Sequence, residues 1–402
     1  MKKLLLIFTV LLMSIYAQAT NEVTVSGAVA GNGDYDNLRL AFAAINAESQ
    51  TEANIVITIT ASPAADNATA VLNDKGWASL NIFPTATVSI TGDVNAPLID
   101  LNGADNVTID GRLDGSGTPK SLTISNASTG TAASTIRFIN DAKTNKVQYC
   151  TIKGSSMNTA GGVIHFSTAT TEGNDGNTIT YNDITNESSN RPLNAIYSGG
   201  TDLKANSGIA ISNNNIFNFL NMGTTTNTYG VNLAASTDAI SVSNNSFYET
   251  ADITAGANQN CVIIGVMANT IGGYTISGNF IGGKEANCGG GAWTKTSSSN
   301  NFKGIDIRTS SIESTNLVQG NTIKNFSWTN TTATSWYGIS FNSAGRGTVS
   351  DNIIGSDSDT GSITIAATNT NVNHAGINFQ SSGTFTVQGN RIGSMTVTGG
   401  GI

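Results

Sequence analysis

Ile179-Thr180-Tyr181-Asn182-Asp183-Ile184 is one copy of the phrase that decides the fold: an aliphatic residue three positions before an asparagine, and an apolar residue two positions after it. The phrase returns around Asn214 (Ile211, Ile216), Asn245 (Val242, Phe247), Asn279 (Ile276, Ile281), Asn321 (Val318, Ile323), Asn352 (Val349, Ile354) and Asn390 (Val387, Ile392). Successive asparagines are 32, 31, 34, 42, 31 and 38 residues apart. Spacings in this range are the mark of a self-similar supersecondary unit.

Working outward from the asparagine, each unit holds a second short alternation, often after a glycine: Ile136-Arg137-Phe138, Ile164-His165-Phe166, Val231-Asn232-Leu233, Ile305-Asp306-Ile307, Ile339-Ser340-Phe341 and Ile377-Asn378-Phe379. Their period is two and they are bounded by Gly, Asn and Ser, so they are strands. Units of short strands with no intervening helix predict a coil in which each strand pairs with its counterpart one turn on, about 4.8 Å along the axis. Stacked asparagines suit a tight corner, because the residue tolerates left-handed backbone and its amide both donates and accepts. They form a structural ladder and carry no catalysis. Cys150, three after Val147 and two before Ile152, stands at a ladder position and reads as a small buried residue.

Ahead of the repeats, a basic start at Met1-Lys2-Lys3, an apolar run from Leu4 to Met13 and Ala17-Gln18-Ala19 make residues 1–19 a signal peptide. Residues 20–60 read as an N-terminal cap. Within it Leu38, Ala41, Phe42 and Ile45 share one face of a helix spanning 36–47, with Asp36 as its N-cap. Such a helix covers the open end of the first coil. Residues 61–402 are coils, and Gly401-Ile402 matches the start of an opening strand such as Gly376-Ile377, so the chain reads as cut within a repeat. The longest insertions follow Asn279 and Asn352, on one side of the coil.

Only 11% of residues are charged and the net charge is -8, which offers no basic field to a nucleic acid. No stretch after the signal reads as a membrane span. Three cysteines in 402 residues exclude a disulfide scaffold. Cys261 and Cys288 lie within one repeat of each other and are the pair open to a disulfide in an oxidising compartment.

With its asparagine ladder the sequence resembles the right-handed parallel β-helix proteins of the pectin-lyase-like type. Asn106-Val107-Thr108-Ile109-Asp110-Gly111, Ser121-Leu122-Thr123-Ile124-Ser125-Asn126 and Cys150-Thr151-Ile152-Lys153-Gly154 are similar to phrases in large secreted proteins of Bacteroidetes. The resemblance implies Gram-negative export, with type IX secretion through a downstream sorting domain, and a place outside the cell or on its surface. Enzymes of this fold cut polysaccharides on the outside of one sheet. The outward row of the opening strands here runs Arg137, His165, Tyr197, Asn232, Gly265, Asp306, Ser340 and Asn378. Arg137, His165 and Tyr197 are neighbours in it, and an arginine for a carboxylate beside a proton carrier suits β-elimination from a uronic acid. The hydrolase and pectate-lyase motifs of the resembled enzymes are missing: His374 sits in Asn373-His374-Ala375, and Arg191-Pro192 has no second arginine nearby.

Trp293, Trp328 and Trp336 fall in the Ser/Thr/Asn/Gly-rich return segments, where exposed indoles would form a glycan-binding strip and packed ones would cover their own loops. Asn32, Asp34 and Asp36, and Asp357 and Asp359, have the spacing of oxygen ligands, making calcium the one cofactor open to the chain, but neither stretch is a complete calcium loop and both read as solvated turns. The reading that results is a non-catalytic β-helix module of the cell exterior, for adhesion to glycans or as a stalk. The alternative is a polysaccharide lyase or glycoside hydrolase.

Overall fold

The computed structural model describes residues 21–267, 272–332, 334–342, 345–367, 372–380 and 382–399; the expected signal peptide of residues 1–19 and the closing Gly401-Ile402 lie outside them. Three long sheets run side by side, one of thirteen strands and two of ten, with a fourth of five strands. An antiparallel pairing of Val23–Ser26 with Gly33–Tyr35 and Asn54–Ile59 starts the first sheet, and from there strand pairs with strand in parallel.

The register follows the phrase. Val147, Ile179, Ile211, Val242, Ile276 and Val318 are Cα partners in series along the first sheet. Ile152, Ile184, Ile216, Phe247, Ile281 and Ile323 do the same along the second. The opening strands make the third, with Ile136, Ile164, Ile196 and Val231 in line. All of these side chains are buried, so like stacks on like along a single interior column. The chain is a parallel β-helix.

The helix, α1 (Leu38–Asn46), is shorter than expected. Its N-cap is Asn37 rather than Asp36: the Asn37 side chain accepts from the Leu40 N–H at 3.0 Å. Leu38, Ala41, Phe42 and Ile45 are buried against the first coil, as the periodicity requires.

The corner differs from expectation in one respect. Left-handed backbone belongs to the residue before each ladder position: Tyr149, Tyr181, Asn213, Asn244, Gly278, Gly320, Asp351 and Gly389 all have φ between 52° and 66°. The asparagine itself turns inward. Asn245 Nδ2 donates to Ile211 O (2.9 Å) and to Asn279 Oδ1 (3.0 Å), while its own Oδ1 accepts from the N–H (3.0 Å) and Nδ2 (2.9 Å) of Asn214. The pattern runs unbroken from Asn182 to Asn390.

Cys150 is the ladder's first rung. Its N–H donates to Asn182 Oδ1 (2.9 Å), but its thiol only reaches Gln148 O at 3.3 Å. In the preceding coil a turn containing Leu113–Gly115 separates Asp110 from Leu122, the partner of Cys150, so the regular corner is interrupted there. With no asparagine beneath it to pair with, the position takes a small apolar side chain instead of an amide. Shorter ladders line other corners, Asn145 with Asn177 and Asn174 with Asn206.

The long returns also hold regular structure. Ile253–Thr254, Trp293–Thr296, Phe326–Asn330, Ile363–Ala367 and Met395–Thr398 pair in parallel as the fourth sheet. An added wall widens the cross-section of these coils, and the space is filled by aromatic rings. Trp293 stacks on Phe326 (5.3 Å between centroids) and Phe302 on Trp336 (5.0 Å), with Trp328 tilted against Phe302 (5.0 Å).

Candidate functional site

Aligned coils bring Asp100, Arg137, His165, Tyr197 and Asn232 into one outward row of the third sheet. Adjacency is as expected; the chemistry is different. Arg137 is held by Asp100 through two parallel bonds, Nε to Oδ1 at 2.9 Å and Nη2 to Oδ2 at 2.7 Å. A guanidinium fork engaged in this way has its best donors occupied before any substrate arrives. Outward direction also does not mean exposure. His165 is only 9% exposed, with the chain at Gly161 close against its Nδ1 and its ring edge-on to Tyr197 at 5.5 Å. Burial, and secondarily the Arg137 charge, push the His165 pKa down to about 3. Burial also raises the Tyr197 phenol. An imidazole held neutral to that degree is a poor base, and a raised phenol is a poor acid, for chemistry near neutral pH.

Further along the row Asp306 is fully buried between Lys303 Nζ (2.9 Å) and Arg308 Nε (2.9 Å), and Asn342 Nδ2 donates to its other oxygen at 3.0 Å. No second carboxylate joins it among these contacts, so the pair that glycoside hydrolysis needs is not assembled there. Arg191, the other arginine noted above, pairs with the fully buried Glu249.

The three tryptophans cannot form an exposed strip, because Trp293, Trp328 and Trp336 are each 0% exposed. Trp293 and Trp328 lie in strands of the fourth sheet and Trp336 in the strand Trp336–Phe341 of the third, all facing the interior. Phe326-Ser327-Trp328-Thr329 alternates apolar with polar, and that period of two was the available signal for a strand facing inward. In Trp293-Thr294-Lys295-Thr296 the signal is hidden, since Lys295 points inward too. Its Nζ donates to Ser298 O (3.1 Å), Thr329 O (2.6 Å) and Asn330 Oδ1 (2.9 Å), which is how a fully buried ammonium is tolerated.

The disulfide left open for Cys261 and Cys288 is not formed. Cys150, Cys261 and Cys288 are all free and buried, and burial pushes the Cys261 and Cys288 thiols up to about 12. The oxygen-rich turns are occupied by their own contacts. Asn32 Oδ1 accepts from Ala28 N–H (2.9 Å), Asp34 from Thr24 Oγ1 (2.7 Å), Asp359 from Ser356 Oγ (3.0 Å), and Asp357 pairs with Arg391. Among the described residues no three His, Cys, Asp or Glu side chains gather as a metal site.

What the outer surface does offer lies at the corner between the first and second sheets. The Arg112 guanidinium sits 4.5 Å from the centre of the Tyr149 ring, and Tyr149 stacks on Tyr181 at 4.9 Å with 9° between planes. Nothing in the asparagine phrase pointed to this column, because its residues precede the rungs and vary from coil to coil.

The sequence matches no protein-family model and no curated protein. Two solved structures of PfbA, a surface adhesin of Streptococcus pneumoniae, are similar to it at 14% identity. One covers 94% of this chain and 91% of that one with a TM-score of 0.45, the other 93% and 98% with a TM-score of 0.42. The β-helix assignment rests on the strand pairing described above, not on that likeness. No helix among the described residues is long and apolar enough to cross a membrane.

Proposed function

We propose that this chain is an exported, non-catalytic β-helix module displayed at the cell exterior, where it acts in adhesion with a surface or matrix glycan as its ligand. The observation that carries the reading is the state of the outward row of the third sheet. Asp100, His165, Asn232, Asp306 and Ser340 are all at most 9% exposed, and Arg137 and Asp306 are already in ion pairs. Groups that are paired and covered stabilise a wall better than they serve a reaction. A chain with only 11% charged residues and rich in uncharged Ser, Thr and Asn suits contact with a hydroxyl-rich polymer. Export is supported by the signal-peptide pattern of residues 1–19.

The experiment is attachment. Beads carrying the purified protein are mixed with bacterial and host cells, with and without prior enzymatic removal of surface glycans. Attachment that falls on deglycosylation is the expected result. Beads that attach to neither cell type would remove the adhesion reading.

A further inference from the structure

Tyr181 is the aromatic side chain most open to solvent among the described residues, at 44% exposed. It ends a built stack. Asp110 grips Arg112 through Nε (2.9 Å) and Nη2 (2.6 Å) and also accepts from Gln148 Nε2 (2.8 Å), which fixes the guanidinium under Tyr149. Tyr149 in turn supports Tyr181. The next two coils carry Asn213 and Asn244 at the same corner position, so the column of rings stops at Tyr181.

Polar groups flank that ring on both sides. Toward the first sheet, the half-buried Ser212 has its Oγ 3.0 Å from Oγ1 of the covered Thr180. Toward the second, Asp183 Oδ1 accepts from Asn215 Nδ2 at 2.8 Å and also pairs with Lys120. The two cations named at this corner are both matched: Arg112 by Asp110, and Lys120 by Asp183. An exposed ring held rigid from behind, bordered by hydroxyl, amide and carboxylate groups and with its neighbouring Arg112 and Lys120 already paired, has the chemistry that recognises an uncharged sugar. The apolar C–H face of the sugar stacks on the ring, and its hydroxyls meet the polar border. Because the ring is already ordered, little entropy is lost on binding.

We propose that the corner formed by Tyr181, with Ser212, Asp183 and Asn215, is a stacking site for a neutral sugar ring of an extracellular glycan. The site gives the adhesion reading a location and rests on that reading.

The test measures binding of the purified protein to immobilised hexasaccharides of neutral glucan, xylan, mannan and chitin, with polygalacturonate as the acidic comparison. Tyr181→Asn is the informative variant, since asparagine occupies this corner in the next two coils at φ 56° and 55° and the fold accepts it there. Binding to at least one neutral glycan, weakened about tenfold by Tyr181→Asn and kept by Tyr181→Trp, is the expected result. Three results would overturn the site: no neutral glycan bound, binding of the acidic polymer alone, or equal binding by wild type and Tyr181→Asn. Cell attachment run in parallel separates the two ideas. Wild type and Tyr181→Asn attaching equally would remove the site and leave adhesion standing, while no attachment by wild type would remove adhesion itself.

Discussion

Replacing Asn245 with alanine tests the ladder where it is continuous on both sides. The carboxamide makes four hydrogen bonds: it donates to Ile211 O and Asn279 Oδ1, and it accepts from the N–H and Nδ2 of Asn214. Three of the partners keep another contact or have a spare lone pair. Asn214 Nδ2 still reaches Ile179 O, Asn279 Oδ1 still accepts from the Asn245 N–H, and the Ile211 carbonyl has its second lone pair. The Asn214 N–H does not. It is a buried backbone donor left without its partner, at a cost of about 1–3 kcal/mol, and each of the other lost bonds adds about 0.5–1 kcal/mol. The expected destabilisation is about 4 kcal/mol, large for one substitution. Urea unfolding followed by circular dichroism measures it, and amide exchange at Asn214 localises it. Cys150→Ala is the internal control, because the only hydrogen bond shown for that thiol is a long one to Gln148 O, and it should cost well under half as much. A loss below about 1 kcal/mol for Asn245→Ala, or equal losses at the two positions, would refute the view that the amide chain, not the inward aliphatic column alone, holds the corner.

Three further outcomes follow from buried ionisable groups. His165 has its folded pKa depressed to about 3 against 6.5, so the unfolded chain binds more protons between those values, and stability should fall as pH drops from 6.5 toward 3, by at most about 5 kcal/mol. His165→Phe should flatten that acid limb in a series of denaturation midpoints, and an unchanged slope would contradict the burial argument. Lys295, pushed down to about 8 by burial, should add stability as pH rises from 8 toward 10.5, where the folded chain sheds a proton that the unfolded chain keeps. Lys295→Met should abolish that rise, and a rise that persisted in the variant would contradict the burial argument. Finally, a thiol reagent should label none of the three cysteines in the native protein within minutes and all three in denaturant. Two thiols missing in denaturant would reveal the disulfide that the structure does not contain.

Much of the architecture could be read from the sequence because an in-register coil forces the same residue type to recur at the same place. Ile179, Ile211 and Val242 occupy equivalent inward positions, so their recurrence is visible without any structure. The same alignment put Cys150 on the ladder and set Arg137, His165 and Tyr197 side by side. It failed where a period of two gives direction but not accessibility. His165 points out of its sheet and is covered all the same, because the chain at Gly161 lies close against it. The returns were misread for a related reason. Composition marked Trp293, Trp328 and Trp336 as loop residues, whereas the extra wall turns them into core, and a buried, triply bonded Lys295 disguises the alternation that would have shown it. The Tyr181 corner escaped notice since its supporting contacts, Arg112 to Tyr149 to Tyr181, join residues far apart in the chain.

The proposal that this β-helix holds glycans without cutting them is tested most directly by one paired measurement. Polygalacturonate, alginate and neutral polysaccharides are incubated with the purified protein, and retention on the polymer is followed alongside the absorbance of unsaturated products and the release of reducing ends. Retention without either product signal is the predicted result. Product formation that disappears in His165→Ala would contradict the account, because it would show that the covered row of the third sheet is an active site.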